Sequence, residues 1–232
     1  MVDMNQLLGQ LLGGGAKRGL IGGLAGGLAG GMLTGKKGRK IGMKALKMGG
    51  VAAVGALAYT AYQRYRNSQG ATSAAPSAMP LAMPLAWPLG AAELIPAPPG
   101  TAFMPQASDY AAHDALGLTL IRAMMAAARA DGRLDAQEGQ AIFQRIEALG
   151  LDDESQALLV AEMGRPVDMD AIVNSAGSPE VAAEIYVASL LAVEVDTAAE
   201  KAYLAMLAAR LRLPAGLVTE LERQVAAQKA GV

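Results

Sequence analysis

Hydrophobic and polar positions change their spacing three times along this chain. Two short apolar runs come first, GLIGGLAGGLAGGMLTG over 19–35 and MGGVAAVGALAYTAYQ over 48–63. Lys17 and Arg18, a basic stretch over 36–47, and Arg64 flank them. Prolines then crowd residues 67–107, which hold eight of the eleven in the chain, Pro76, Pro80, Pro84 and Pro88 falling four apart. That density removes helix hydrogen bonds and favours extended structure, so a disordered Pro/Ala-rich linker is expected. From 108 a helical period takes over. Leu116, Leu120, Met124 and Ala127 or Ala128 share one face of a helix predicted over 109–130. Gly132 stops it, Asp135 starts a helix ending near Gly150, and Asp152 or Asp153 starts a third that Pro166 closes off. A short helix follows over 168–176. Ser178-Pro179-Glu180 is a start signal for one running to about Val195. The next is predicted from Asp196 or Thr197 to Leu211, and Pro214 opens the last. Seven helices and no strand over 108–232 predict an all-α bundle.

The first apolar run is built from glycine. Gly19, Gly23, Gly27, Gly31 and Gly35 form one row, and Gly22, Gly26 and Gly30 run beside it. A glycine inside a helix costs about 1 kcal/mol relative to alanine, so this segment is a poor lone helix in water. In a bilayer the backbone must bond within itself, and small residues four apart let a second helix approach closely. Residues 1–66 are therefore expected to form a glycine-zipper helical hairpin associated with the lipid bilayer, the second run supplying the partner helix. Self-association through Gly19, Gly23, Gly27 and Gly31 is the other use of the same rows. Length works against a full span, since 17 residues reach about 25 Å of a hydrocarbon core of about 30 Å.

Charge divides the chain at the same places. Residues 1–66 carry a balance of +9, and residues 67–232 carry −10. The basic stretch 36–47 lacks interleaved aromatics and lies between apolar runs, so anionic lipid is the expected partner and nucleic acid is not. Keeping that stretch cytoplasmic by the positive-inside rule would put the acidic bundle outside the cytoplasm, although Lys17, Arg18, Arg64 and Arg66 oppose this. With no cysteine and a single histidine, His113, thiolate zinc sites, iron–sulfur clusters and multi-histidine sites cannot be assembled within one chain. His113, near Asp109 and Asp114, reads as a solvated or capping residue. No phosphate loop, nucleophile elbow or second histidine is present, so no catalytic residue is expected.

Carboxylates offer the remaining chemistry. Asp131, Asp135 and Glu138 surround one predicted helix–helix turn, and Asp196 and Glu200 surround another. Were the two turns adjacent, five carboxylates would converge on a site suited to Ca²⁺, Mg²⁺ or Mn²⁺, or to a basic protein partner. Capping explains several of them equally well. Asp135 to Glu138 and Thr197 to Glu200 both have capping-box spacing, and Asp131-Gly132 is an ordinary helix stop.

Residues 5–65, from NQLLGQ to AYQRY, resemble the N-terminal part of the YebE-like family of bacterial inner-membrane proteins. The stretches LIRAMMAAARADGRLDAQEGQAI and LLAVEVDTAAEKAYLAMLAARL resemble the tellurite-resistance TerB-like helical domain. This resemblance implies a seven-helix fold over 108–232, an inner-membrane location and an acidic patch that binds metal, carried here by Asp131, Asp135 and Glu138. At the second turn the chain reads Val195-Asp196-Thr197 in place of Ala-Asp-Gly, a departure that breaks any symmetric pair of sites. TerB-like domains are commonly cytoplasmic, which opposes the topology drawn from charge. The expected function is a non-enzymatic membrane-anchored binding module for a divalent cation or protein partner in envelope, metal or tellurite stress. The alternative is a structural glycine-zipper oligomer whose helical domain scaffolds assembly.

Overall fold

The computed structural model describes residues 7–9, 50–71, 94–130, 153–193, 195 and 197–230. Its helices are α1 (Gly50–Ala71), α2 (Tyr110–Ala128), α3 (Asp153–Gly164), α4 (Met169–Asn174), α5 (Pro179–Ala192), α6 (Ala198–Arg210) and α7 (Ala215–Ala230). Among the described residues the fold is all-α, with one isolated bridge between Thr101 and Met104 in place of any strand. The glycine rows of 19–35, the basic stretch 36–47 and the helix expected over 135–150 lie outside the described residues.

Helix starts sit where side chains can satisfy orphan backbone donors. Asp109 accepts the Ala112 N–H at 3.0 Å, Asp168 the Ala171 N–H at 2.9 Å, and the Ser178 hydroxyl the Val181 N–H at 3.3 Å with Pro179 behind it. At the far end of α5, the Lys229 ammonium donates to the Leu190 carbonyl at 2.8 Å and the Val193 carbonyl at 2.5 Å. A cation there satisfies the last carbonyls and opposes the negative pole of the helix.

Helix α5 is the centre of the bundle. Every residue from Ala182 to Leu190 is buried, because α1, α2, α6 and α7 all pack against it. From α2 come Leu120, Ile121, Ala123, Met124 and Ala127, and from α7 come Leu217, Leu221 and Val225. Arg122 fastens α3 to α2 with two parallel bonds to Glu162, at 2.8 and 2.7 Å. Arg165 adds a third at 3.1 Å.

The second apolar run has a use that hydropathy does not reveal. It is the first part of α1, and Val51, Val54, Leu57, Ala58 and Ala61 belong to the same core as α5 and α7. Arg64 ties α1 to α7 through Gln224 at 3.0 Å, and Tyr65 lies on Gly216. Beyond Ala61 the helix turns polar, through Arg64, Arg66, Asn67 and Ser68. Among the described residues no helix is long and apolar enough to cross a membrane.

The ends of the expected linker are ordered parts of the bundle. Residues 67–71 continue α1, and residues 94–107 pack back upon it. The Ile95 N–H donates to the Thr60 hydroxyl at 2.9 Å. Phe103 is wedged edge-on between Tyr59 and Tyr62, with ring centroids 5.5 Å away on both sides. The prolines mislead here because they remove helix without removing burial. Residues 72–93 lie outside the described residues.

One pH dependence follows from the α2–α3 clamp. The Arg122 guanidinium, helped by Arg165 and opposed by burial, holds the Glu162 carboxyl below its usual range. A depressed carboxylate contributes stability above its unfolded value, about 4.3, and that contribution is lost as pH falls through the lower folded value. Because Arg122 is 41% exposed, solvent screens the pair, and Glu162→Gln is expected to cost about 1 kcal/mol at neutral pH. The difference between the two proteins in urea unfolding should shrink toward zero in strong acid.

Candidate functional site

The acidic corner is described at one of its five expected residues. Glu200 stands in the first turn of α6, where the Thr197 N–H and hydroxyl donate to its Oε2 at 3.1 and 2.9 Å. In return the Thr197 hydroxyl oxygen accepts the Glu200 N–H at 3.1 Å. This is the reciprocal capping box, so Glu200 has a structural role in the described conformation. Asp131, Asp135, Glu138 and Asp196 lie outside the described residues. Among the described residues no three histidines or carboxylates gather in a way that would hold a metal.

Inside the bundle the structure places polar groups that the sequence pattern does not single out. Glu184 is fully buried on α5, and neither carboxylate oxygen has a hydrogen-bond partner among the described residues. It faces α1 at Gly55. A Cβ placed on Gly55 would lie 3.0 Å from Glu184 Oε1 and 2.5 Å from the Phe103 carbonyl oxygen. Burial first, and then the charge of Glu180 one turn earlier, push the Glu184 carboxyl well above the usual range. One acid inside VAAEIYVASLLA was the available signal, since carboxylates are rarely fully buried without a partner.

His113 corrects the expectation of a solvated or capping residue, since Asp109 caps α2. It is 8% exposed on the inner face of α2, with Nδ1 buried and unpartnered among the described residues. Tyr186, fully buried on α5, donates its hydroxyl to Glu222 on α7 at 2.8 Å. Burial leads in holding that phenol above its usual range. The Glu184 carboxyl and the His113 imidazole are buried polar groups of the bundle interior. They do not assemble a nucleophile, its base and an oxyanion hole.

The chain is 25% identical over 113 residues to a Yersinia enterocolitica protein described as an uncharacterized protein in ampR 5′region. That match covers 49% of this chain and 81% of the relative. No solved structure matches the chain. A family model matches residues 18–225, nearly the whole of it, glycine rows and helical bundle together. The chain belongs to the family described as protein of unknown function (DUF533).

Proposed function

We propose that this protein is a non-enzymatic membrane-anchored binding module. Its glycine-rich segment associates with the bacterial inner membrane, and its acidic helical domain holds a divalent cation or a basic protein partner. The observation that supports this most is the seating of α1 in the bundle core, four residues or fewer beyond the basic stretch 36–47. A rigid helix then links the lipid-facing segment to the acidic module, so that anchoring one positions the other. Because α5 and α7 pack against α1, self-association through Gly19, Gly23, Gly27 and Gly31 is the use we propose for the glycine rows. The resemblance to YebE-like and TerB-like proteins agrees with this division of labour.

Calcium, magnesium and manganese are the cations that all-oxygen ligands suit. Titration of the full-length protein with each ion should raise its melting temperature saturably, and Asp131→Asn should abolish the rise while helicity persists. Unchanged melting with all three ions, in a protein that still sediments with membranes, would leave a protein partner as the ligand of the acidic domain. Loss of oligomers in the Gly23→Leu/Gly27→Leu double variant, with no effect of any acid-to-amide change on melting or partner binding, would favour the scaffold alternative.

A further inference from the structure

The α6–α7 turn contains the one non-glycine residue with a left-handed backbone among the described residues, and it is an arginine. Arg212 has φ 55°, a conformation that glycine adopts without the steric cost an arginine bears. Its guanidinium forms no hydrogen bond or ion pair with a described residue. It lines a cleft of about 530 Å³ bounded by the C-terminal half of α1, the α4–α5 turn and the α6–α7 turn. The charged residues of that lining are Arg210 and Arg212, with no carboxylate among them, although the surrounding helical region is strongly acidic. Arg210 is partly neutralised by Asp170, outside the lining, which leaves Arg212 as the cleft's uncompensated charge.

Helix α7 adds to the same field. Pro214 precedes it and offers no capping side chain, and the first turn holds no acid. The N–H groups of Ala215 and Gly216 have no acceptor among the described residues. The positive pole of α7 is therefore uncompensated beside the two guanidiniums, in a place where an anion is favoured. The remaining wall is aromatic and aliphatic. Tyr65 covers the start of α7, its Cε2 3.0 Å from where a Cβ on Gly216 would lie, and Tyr62 and Leu217 complete that side. The cleft is open to solvent, with Arg210 and Arg212 both exposed, and its shape suits one end of a small organic molecule, apolar on one side and anionic on the other.

We propose that this cleft binds a phosphate group carried on an organic body, with Arg212 as its principal contact and Arg210 and the α7 N-terminus in support. Two sources share that chemistry, a soluble phosphate monoester and the headgroup of an anionic phospholipid. The strain at Arg212 supplies an unusually clean variant. Arg212→Gly deletes the guanidinium and relaxes the backbone at once, so it is expected to melt higher than the parent and cannot lose binding by unfolding.

The test is calorimetric titration of the full-length protein in neutral detergent with glycerol 3-phosphate. A parallel arm uses the protein reconstituted in phosphatidylcholine vesicles with or without phosphatidylglycerol. Saturable binding that weakens about tenfold or more in Arg212→Gly, and is unchanged in Arg66→Gln on the exposed end of α1, is the expected result. Response to glycerol 3-phosphate assigns a soluble ligand. Response to phosphatidylglycerol alone, with the same dependence on Arg212, assigns a lipid headgroup. Binding in neither arm, or binding indifferent to Arg212→Gly, overturns the proposal.

Discussion

Gly55→Val is expected to be among the most damaging single substitutions in the helical bundle, costing about 3 kcal/mol in denaturant unfolding. The new Cβ would meet the Phe103 carbonyl oxygen at 2.5 Å and Glu184 Oε1 at 3.0 Å. The carboxyl can swing aside, but the carbonyl is backbone. Phe103 is also pinned between the rings of Tyr59 and Tyr62. Relief therefore requires α1 to lift away from α5, and burial of Val54, Leu57 and Ala58 would be lost with it. Ala53→Val, two residues earlier on a different face of α1 and half-buried, should stay within about 0.5 kcal/mol. Equal losses in the two variants would contradict this account of the α1–α5 contact.

Glu184→Met should do the reverse and stabilise the protein. A fully buried carboxyl with no partner among the described residues costs about 1–3 kcal/mol of desolvation, which an apolar side chain of similar length does not incur. The gain should depend on pH with a definite sign. Because the folded value of Glu184 is raised, the folded protein holds a proton that the unfolded chain releases above about 4.3. Stability is then complete in acid and falls as pH rises through the folded value. Glu184→Met lacks this loss, so its advantage should grow from acid toward neutral and alkaline pH. Glu180→Gln, which removes the neighbouring negative charge, should shift the loss to lower pH. Glu162 works oppositely, losing its contribution in acid, so together the two carboxyls confine maximal stability to an intermediate window. An advantage of Glu184→Met that is flat with pH would mean that Glu184 is ionised or hydrogen-bonded in the folded protein.

What could be read from the sequence divides by the range of the forces involved. Starts at Asp109, Asp168, Ser178 and Thr197 are set by one side chain and an N–H three residues away, so local spacing reveals them, capping box included. The fate of the second apolar run is a tertiary matter. GVAAVGALAYTAY is apolar all round, and such a helix is buried equally well by lipid or by protein. Tyr59, Tyr62 and Tyr65, spaced by three residues along it, were the clue that aromatic neighbours lay nearby. Phe103 and Ile95 were hidden in a segment whose prolines advertise a spacer. Composition reports the absence of helix there and says nothing about packing. Of the candidate cation site, only the local function of Glu200 could be compared with its expected spacing, and that function is helix capping. The left-handed backbone at Arg212 had no sequence signal at all, because arginine is not a residue that calls for it.

The claim on which this account rests is that α1 belongs to the bundle, folded as one unit with α5 and α7. Hydrogen exchange of the full-length protein in native-like membranes, compared with the α7 core variant Leu221→Ala, tests it most directly. Leu221 is fully buried, so truncation should cost about 2–5 kcal/mol. The account predicts that protection over residues 51–61 falls by the same factor as protection over α5, in one cooperative unit. Protection of residues 51–61 that persists while α5 opens would contradict it, and would assign α1 to the membrane.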